Sequence, residues 1–169
     1  MLQLKHNQTQ NQPQTFPIVV IGEALRTPQN VGMCLRVSEA FGVQTFYIHE
    51  HSPNKENRIV QRTARNTEKT LKTHIYSNIF TEIETLKHKG YTLIALEITN
   101  HSQNIQQYNF NQHQKIALLI GSERFGIQKE VLHLCDTSIH IPMHGLNSSM
   151  NVVNSLSVCL YEMTKQMSS

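Results

Sequence analysis

Runs of apolar residues alternate along the chain with segments of helical periodicity. Phe16 to Gly22 is a continuous apolar run rich in β-branched residues, the pattern of a strand buried on both faces. Val43 to His49, Tyr91 to Ile98 and Lys115 to Ile120 read as further strands, the last being the most apolar, and a short alternating run at 137–142 ends at Pro142. Between them, Val31, Leu35 and Phe41 predict a helix that starts at Thr27 and Pro28, or slightly later with Asn30 as its cap, and stops at Gly42. Ile79, Ile83 and Leu86 predict a helix over Ser77 to Lys89, stopped by Gly90, and Lys129 to Cys135 a short one. Val152, Leu156, Cys159 and Met163, flanked by Val153 and Leu160, predict a last helix over 149–164, capped by Ser148 or Ser149. This alternation specifies an α/β domain: a mostly parallel sheet with helices on both faces and a ligand site at the strands' carboxyl ends. Residues 99–114 are polar and irregular, with Tyr108 and Phe110 as packing anchors.

Composition narrows the class. Residues 1–16 are rich in Gln and Asn and lack periodicity, so a polar tail is expected to precede one domain over 17–169. The chain is long enough for a substantial core, and one domain without a second is expected. No apolar run approaches the ~20 residues of a membrane span and the first residues do not read as a signal sequence, so a cytoplasmic protein is expected. Cys34, Cys135 and Cys159 are odd in number, show no C-x-x-C spacing and lie among apolar neighbours, as core thiols do. Ten histidines are scattered without a metal-ligand spacing, so no metal is expected. Net charge is +3, but residues 55–72 hold six basic residues against two acidic, a local +4 that leaves the rest at −1. Within that segment Arg58, Arg62, Arg65, Lys69 and Lys72 recur at alternating intervals of four and three. They align on one face if the segment is helical, and remain near the cleft side if it is an extended loop; either geometry suits phosphates.

Three loops carry candidate chemistry. In Asn30-x-Gly32-x-x-x-Arg36, a glycine inside a helix marks close approach of another backbone or a ligand, and Arg36 stands one helical turn further on. In Gly121-Ser-Glu123-Arg-Phe-Gly126, two glycines flank one carboxylate at the end of a buried strand. In the loop before the last helix, Gly145 and Asn147 admit a tight turn, and Ser149, Asn151 and Asn154 gather at the helix's first turn.

Taken in order, these segments resemble the three signature motifs of the SpoU/TrmH branch of the SPOUT methyltransferases. Thr27 to Val43 is similar to the first motif, Gly121 to Ile127 to the second, and Ile-Pro-Met-x-Gly-x-x-x-Ser-x-Asn-Val at 141–152 to the third. The departures are Met150 where leucine is usual, Val153-Asn154 after it, and Asn66-Thr67 in place of a Gly-Ala pair. The resemblance implies an S-adenosylmethionine-dependent methyltransferase acting on a ribose 2′-hydroxyl of tRNA or rRNA, with tRNA slightly ahead because the domain is minimal. It implies Arg36 as the catalytic residue, with Asn30, Glu123, Ser149 and Asn151 orienting it, and Leu96, Glu97, Gly121, Ile141, Met143, Leu146 and Met150 around the cofactor. It further implies a deep trefoil knot threaded by 117–164 and a homodimer formed across the site by the first and last helices. A guanidinium is a poor general base, so Arg36 is expected to hold a phosphate and stabilise the developing alkoxide. The alternative is an RNA-binding or cofactor-sensing module that keeps the fold without catalysis.

Overall fold

In a computed structural model, residues 12–168 are described; residues 1–11 of the expected tail lie outside them. Seven strands form one sheet: β1 (Phe16–Gly22), β2 (Val43–His49), β3 (Thr73–Tyr76), β4 (Thr92–Leu96), β5 (Gln103–Asn104), β6 (Ile116–Ile120) and β7 (Thr137–His140). Their spatial order is β3-β2-β1-β6-β4-β7-β5, and every neighbouring pair is parallel. Six α-helices accompany them among the described residues: α1 (Pro28–Ala40), α2 (Arg58–Ala64), α3 (Thr67–Thr70), α4 (Ile79–His88), α5 (Lys129–Leu132) and, after the last strand, α6 (Val152–Met167).

The apolar runs of β1 and β6 feed two cores because successive side chains alternate between faces. Ile18, Val20, Ile116, Leu118 and Ile120 pack with Leu35 of α1 and Leu156, Leu160 and Met163 of α6. Val19, Ile21, Ala117 and Leu119 pack with Ile83 and Leu86 of α4 and Val131 of α5. Central strands covered on both sides are what a continuous apolar run encodes. Tyr108 and Phe110 are buried edge-to-face at 4.9 Å, and the Gln166 side chain of α6 bonds the backbone of both, so they anchor the irregular segment as expected. Cys34 and Cys159 are fully buried and Cys135 partly so; all three are free thiols whose pKa burial raises, that of Cys135 to about 12.

Several sequence expectations change. The basic segment is not one helix: Arg65 and Asn66 both take left-handed backbone (φ 54° and 74°), which ends α2 and turns the chain into α3. Only Arg58 and Arg62 share a helix, and Lys72 lies beyond α3. The strand β3 that follows carries no sequence expectation, and the two-residue β5 at the opposite edge falls in the segment expected to be irregular; each is a short, partly exposed edge strand without a sustained apolar run. Helix α6 begins at Val152, and its cap is Asn151 rather than Ser148 or Ser149, with Asn151 Oδ1 accepting from the Val153 N–H at 2.9 Å. Strands β4 and β7 and helix α5 are shorter than the periodicity predicts, ending at Leu96, His140 and Leu132.

Candidate active site

Parallel strands point their carboxyl ends the same way, and here the ends of β4, β6 and β7 open into one cleft of about 520 Å³. Leu96, Glu97, Gly121, Ile141, Met143 and Met150 line it, as do Glu123, Ser149 and Asn151. Leu146 does not: its side chain is fully exposed on the loop before α6. Arg36 is also outside the cleft lining, exposed on α1 and without a hydrogen bond or ion pair among the described residues. The cleft further includes Gly126, the second glycine of that loop, and Ser122, Arg124, His140 and Ser155, which were not singled out from sequence.

Glu123 ties the site together. Its carboxylate accepts from the backbone N–H of Arg26 at 3.0 Å and of Thr27 at 3.1 Å, from the Thr27 hydroxyl, and from Asn30 Nδ2 at 2.8 Å. Thr27 sits in the N-cap position of α1, yet its hydroxyl makes no capping bond because it is turned to Glu123. A carboxylate at a helix N-terminus is also favoured by the helix dipole. Partial burial pushes the Glu123 pKa up, but the hydrogen bonds from Thr27, Asn30 and the backbone outweigh it and hold the group at about 2. Asn30 extends the chain of contacts, its Oδ1 accepting from Asn151 Nδ2 at 3.4 Å. Residues from three segments, 93 and 121 positions apart, are thus joined at the mouth of the cleft.

The loop 121–128 that carries Glu123 is held at its other end by two more carboxylates. Glu97 accepts from the Ile127 and Ile98 N–H groups, at 3.1 and 3.0 Å. Buried Glu23 accepts from the Gln128 N–H at 3.3 Å. Both glycines of the loop have a reason: a Cβ on Gly121 would lie 2.3 Å from the Gly126 carbonyl carbon, and Gly126 takes a left-handed φ of 63°. Glu23 escaped the sequence reading because a single acid after a buried strand carries no periodic signal. Gly32 marks close approach as expected, since a Cβ there would lie 2.0 Å from Thr63 Oγ1 and 2.5 Å from the Val60 carbonyl oxygen of α2.

Arg58, Arg62, Arg65, Lys69 and Lys72 are all exposed on the segment that packs against α1, while Glu68 among them is buried. The basic surface therefore exists without the single-helix stripe.

Residues 17–161 match the SpoU rRNA Methylase family. The chain belongs to that family. A 23S rRNA (guanosine-2′-O-)-methyltransferase, RlmB, of Shewanella oneidensis is 27% identical over 151 residues, 89% of this chain and 60% of that enzyme. This SpoU chain spans about three fifths of the length of such curated relatives. The SpoU methyltransferase AviRb from Streptomyces viridochromogenes, solved in complex with AdoMet, superposes with a TM-score of 0.80 at 23% identity, covering 91% of this chain and 62% of that one. A protein described in a study of 2-OH methylation of C/U34 on tRNA superposes with a TM-score of 0.80 at 20% identity, covering 89% and 96%. These likenesses establish the parallel-sheet SpoU fold. No helix among the described residues is long and apolar enough to cross a membrane.

Proposed function

We propose that this SpoU chain transfers a methyl group from S-adenosylmethionine to a ribose 2′-hydroxyl of RNA, with tRNA ahead of rRNA as substrate. The observation that carries this reading is the hydrogen-bonded chain Glu123–Asn30–Asn151 at the mouth of the cleft, which gathers all three motif segments of the family. The cleft fits the methyl donor. Its volume lies in the range of small-molecule sites, and Leu96, Ile120, Ile141, Met143, Met150 and Val152 supply apolar walls while Glu97 and His140 supply polar contacts. The donor brings an activated methyl, so the protein's part is positioning and proton management.

Glu123, fully ionised at neutral pH, fixes the start of α1 and with it Asn30. Ser149 and Asn151, at the start of α6, orient the ribose. Arg36 binds the phosphate of the target nucleotide and stabilises the 2′-alkoxide as its proton leaves to phosphate or water. Because Arg36 stands outside its own subunit's cleft, the reading includes a homodimer across α1 and α6, in which the partner subunit's Arg36 completes the site. Packing of α1 on α6 and the exposed apolar side chains Met33, Val158 and Tyr161 on these helices support that arrangement. The segment 117–164 is taken to thread as a trefoil knot, in keeping with β6 lying between β1 and β4. The basic residues 58–72 then track the RNA backbone.

The test is incorporation of labelled methyl from S-adenosylmethionine into total tRNA and, separately, rRNA from cells lacking this protein. Incorporation into tRNA that falls by orders of magnitude for Arg36→Ala at saturating RNA is the expected result. Cofactor binding with no incorporation into either pool would overturn catalysis in favour of a non-catalytic module.

A further inference from the structure

Among the phenylalanine and tyrosine rings of the described residues Phe125 is the most exposed, with 62% of its surface open to solvent, although it sits in a loop otherwise clamped by carboxylates. It follows Glu123 and Arg124 at the lip of the cleft, and its own backbone N–H is bonded to Ser122 Oγ at 3.3 Å, so the ring stands on a fixed turn. Two guanidiniums lie against the ring, Arg26 with its Cζ 5.0 Å and Arg124 with its Cζ 5.1 Å from the centroid. Neither guanidinium has a carboxylate partner among the described residues; the Glu123 carboxylate accepts instead from the Arg26 N–H, from Thr27 and from Asn30.

An exposed phenyl ring gains nothing for the core, and two cations brought to one ring without an anion repel each other. The arrangement suits a ligand that supplies both an aromatic face and negative charge. An unpaired nucleotide does so: its base stacks on an aromatic ring and its flanking phosphates meet guanidiniums. A peptide acid would supply charge without the ring, and an apolar partner would leave both charges uncompensated.

We propose that Phe125, with Arg26 and Arg124 resting on it at the lip of the cleft, is a stacking platform for an unpaired base of the RNA, the guanidiniums leaving the ring for the phosphates beside that base as it stacks. This rests on the RNA methyltransferase reading and deepens it: the substrate is an unpaired region, a loop or an end, and its recognition at this point is tolerant of base identity because every base has a π-face. Phe125 positions RNA and does not touch the reacting atoms.

The experiment uses the full chain with Phe125→Leu, Phe125→Ala and Phe125→Trp, and measures the Kd for total tRNA, the KM for RNA against kcat, and the KM for S-adenosylmethionine. A single-stranded RNA oligonucleotide carrying 2-aminopurine reports stacking directly by fluorescence quenching. The leucine and alanine forms are expected to raise Kd and KM for RNA about 10-fold or more, in line with the loss of one base–aromatic stack. Their kcat and cofactor KM should stay near the parent's, and the quenching should be lost. Tryptophan should restore all of these. Arg26→Ala with Arg124→Ala should lower the slope of log Kd against log salt by about 1 to 2. A leucine form that binds, methylates and quenches like the parent overturns the proposal. If the parent binds RNA but transfers no methyl, catalysis fails while Kd and quenching still decide the platform. If the parent binds no RNA, both fall.

Discussion

Two buried or anchored carboxylates behave oppositely, and pH separates them. Glu123 has its pKa lowered from the ordinary 4.5 to about 2 by its hydrogen bonds, so its contribution to stability is complete above pH 4.5 and is lost as pH falls from there toward 2. Glutamine at 123 would present one acceptor and an NH₂ group to donors that need two acceptor oxygens. We expect Glu123→Gln to slow methyl transfer about 10- to 100-fold, the cost of unpaired polar groups in the site, and its unfolding midpoint to converge on the parent's as pH falls toward 2. Glu23 has its pKa raised from 4.5 to about 6 by burial, against the opposing bond from Gln128. Between those values the folded protein keeps a proton that the unfolded chain releases, so stability declines as pH rises through 4.5 to 6. Glu23→Gln keeps an acceptor for the Gln128 N–H and removes the titration. Thermal unfolding across pH 4.5 to 8 should show it gaining on the parent by on the order of 1–2 kcal/mol at pH 7. A variant less stable than the parent at pH 7 would contradict this reading of Glu23.

Helices and strands were legible in the sequence where burial is two-sided or periodic. The bounds of β1 and β2 coincide with the apolar runs that predicted them, and Gly42 and Gly90 stop their helices with φ of +65° and +80°. Short edge strands were not legible, because four residues with one side exposed carry no pattern stronger than that of a loop. The left-handed pair Arg65-Asn66 was equally hidden, since a basic run spaced at three and four mimics a continuous helical face. The candidate site was readable as three separate segments through family resemblance; that Glu123, Asn30 and Asn151 meet, and that Arg36 stands apart from the cleft, depends on sheet order and could not come from spacing. Gly32 is the element-scale test. Its Cβ would drive into Val60 and Thr63 of α2, and backbone there cannot yield without separating α1 from α2. Gly32→Ala is expected to destabilise by about 1–3 kcal/mol in denaturant unfolding; an unchanged midpoint would mean that α1 and α2 do not pack this closely.

At the scale of the molecule, the proposed homodimer sets Arg36 of one subunit at the cleft of the other. A mixture of Arg36→Ala and Glu123→Gln proteins, each impaired alone, tests this, because a mixed dimer then holds one cleft with intact Glu123 facing an intact arginine. Statistical reassortment should restore about a quarter of parent activity. If Arg36 serves its own subunit's cleft, no site in the mixed dimer is complete and the mixture gains nothing over the two proteins assayed separately.

The central claim concerns the atom that receives the methyl group, and it is best tested on the product itself. RNA methylated by this chain with labelled S-adenosylmethionine would be digested to nucleosides and resolved by mass spectrometry. The label is expected in a nucleoside whose ribose has gained the methyl while its base mass is unchanged. Label on a base, with no 2′-O-methylnucleoside formed, would contradict it.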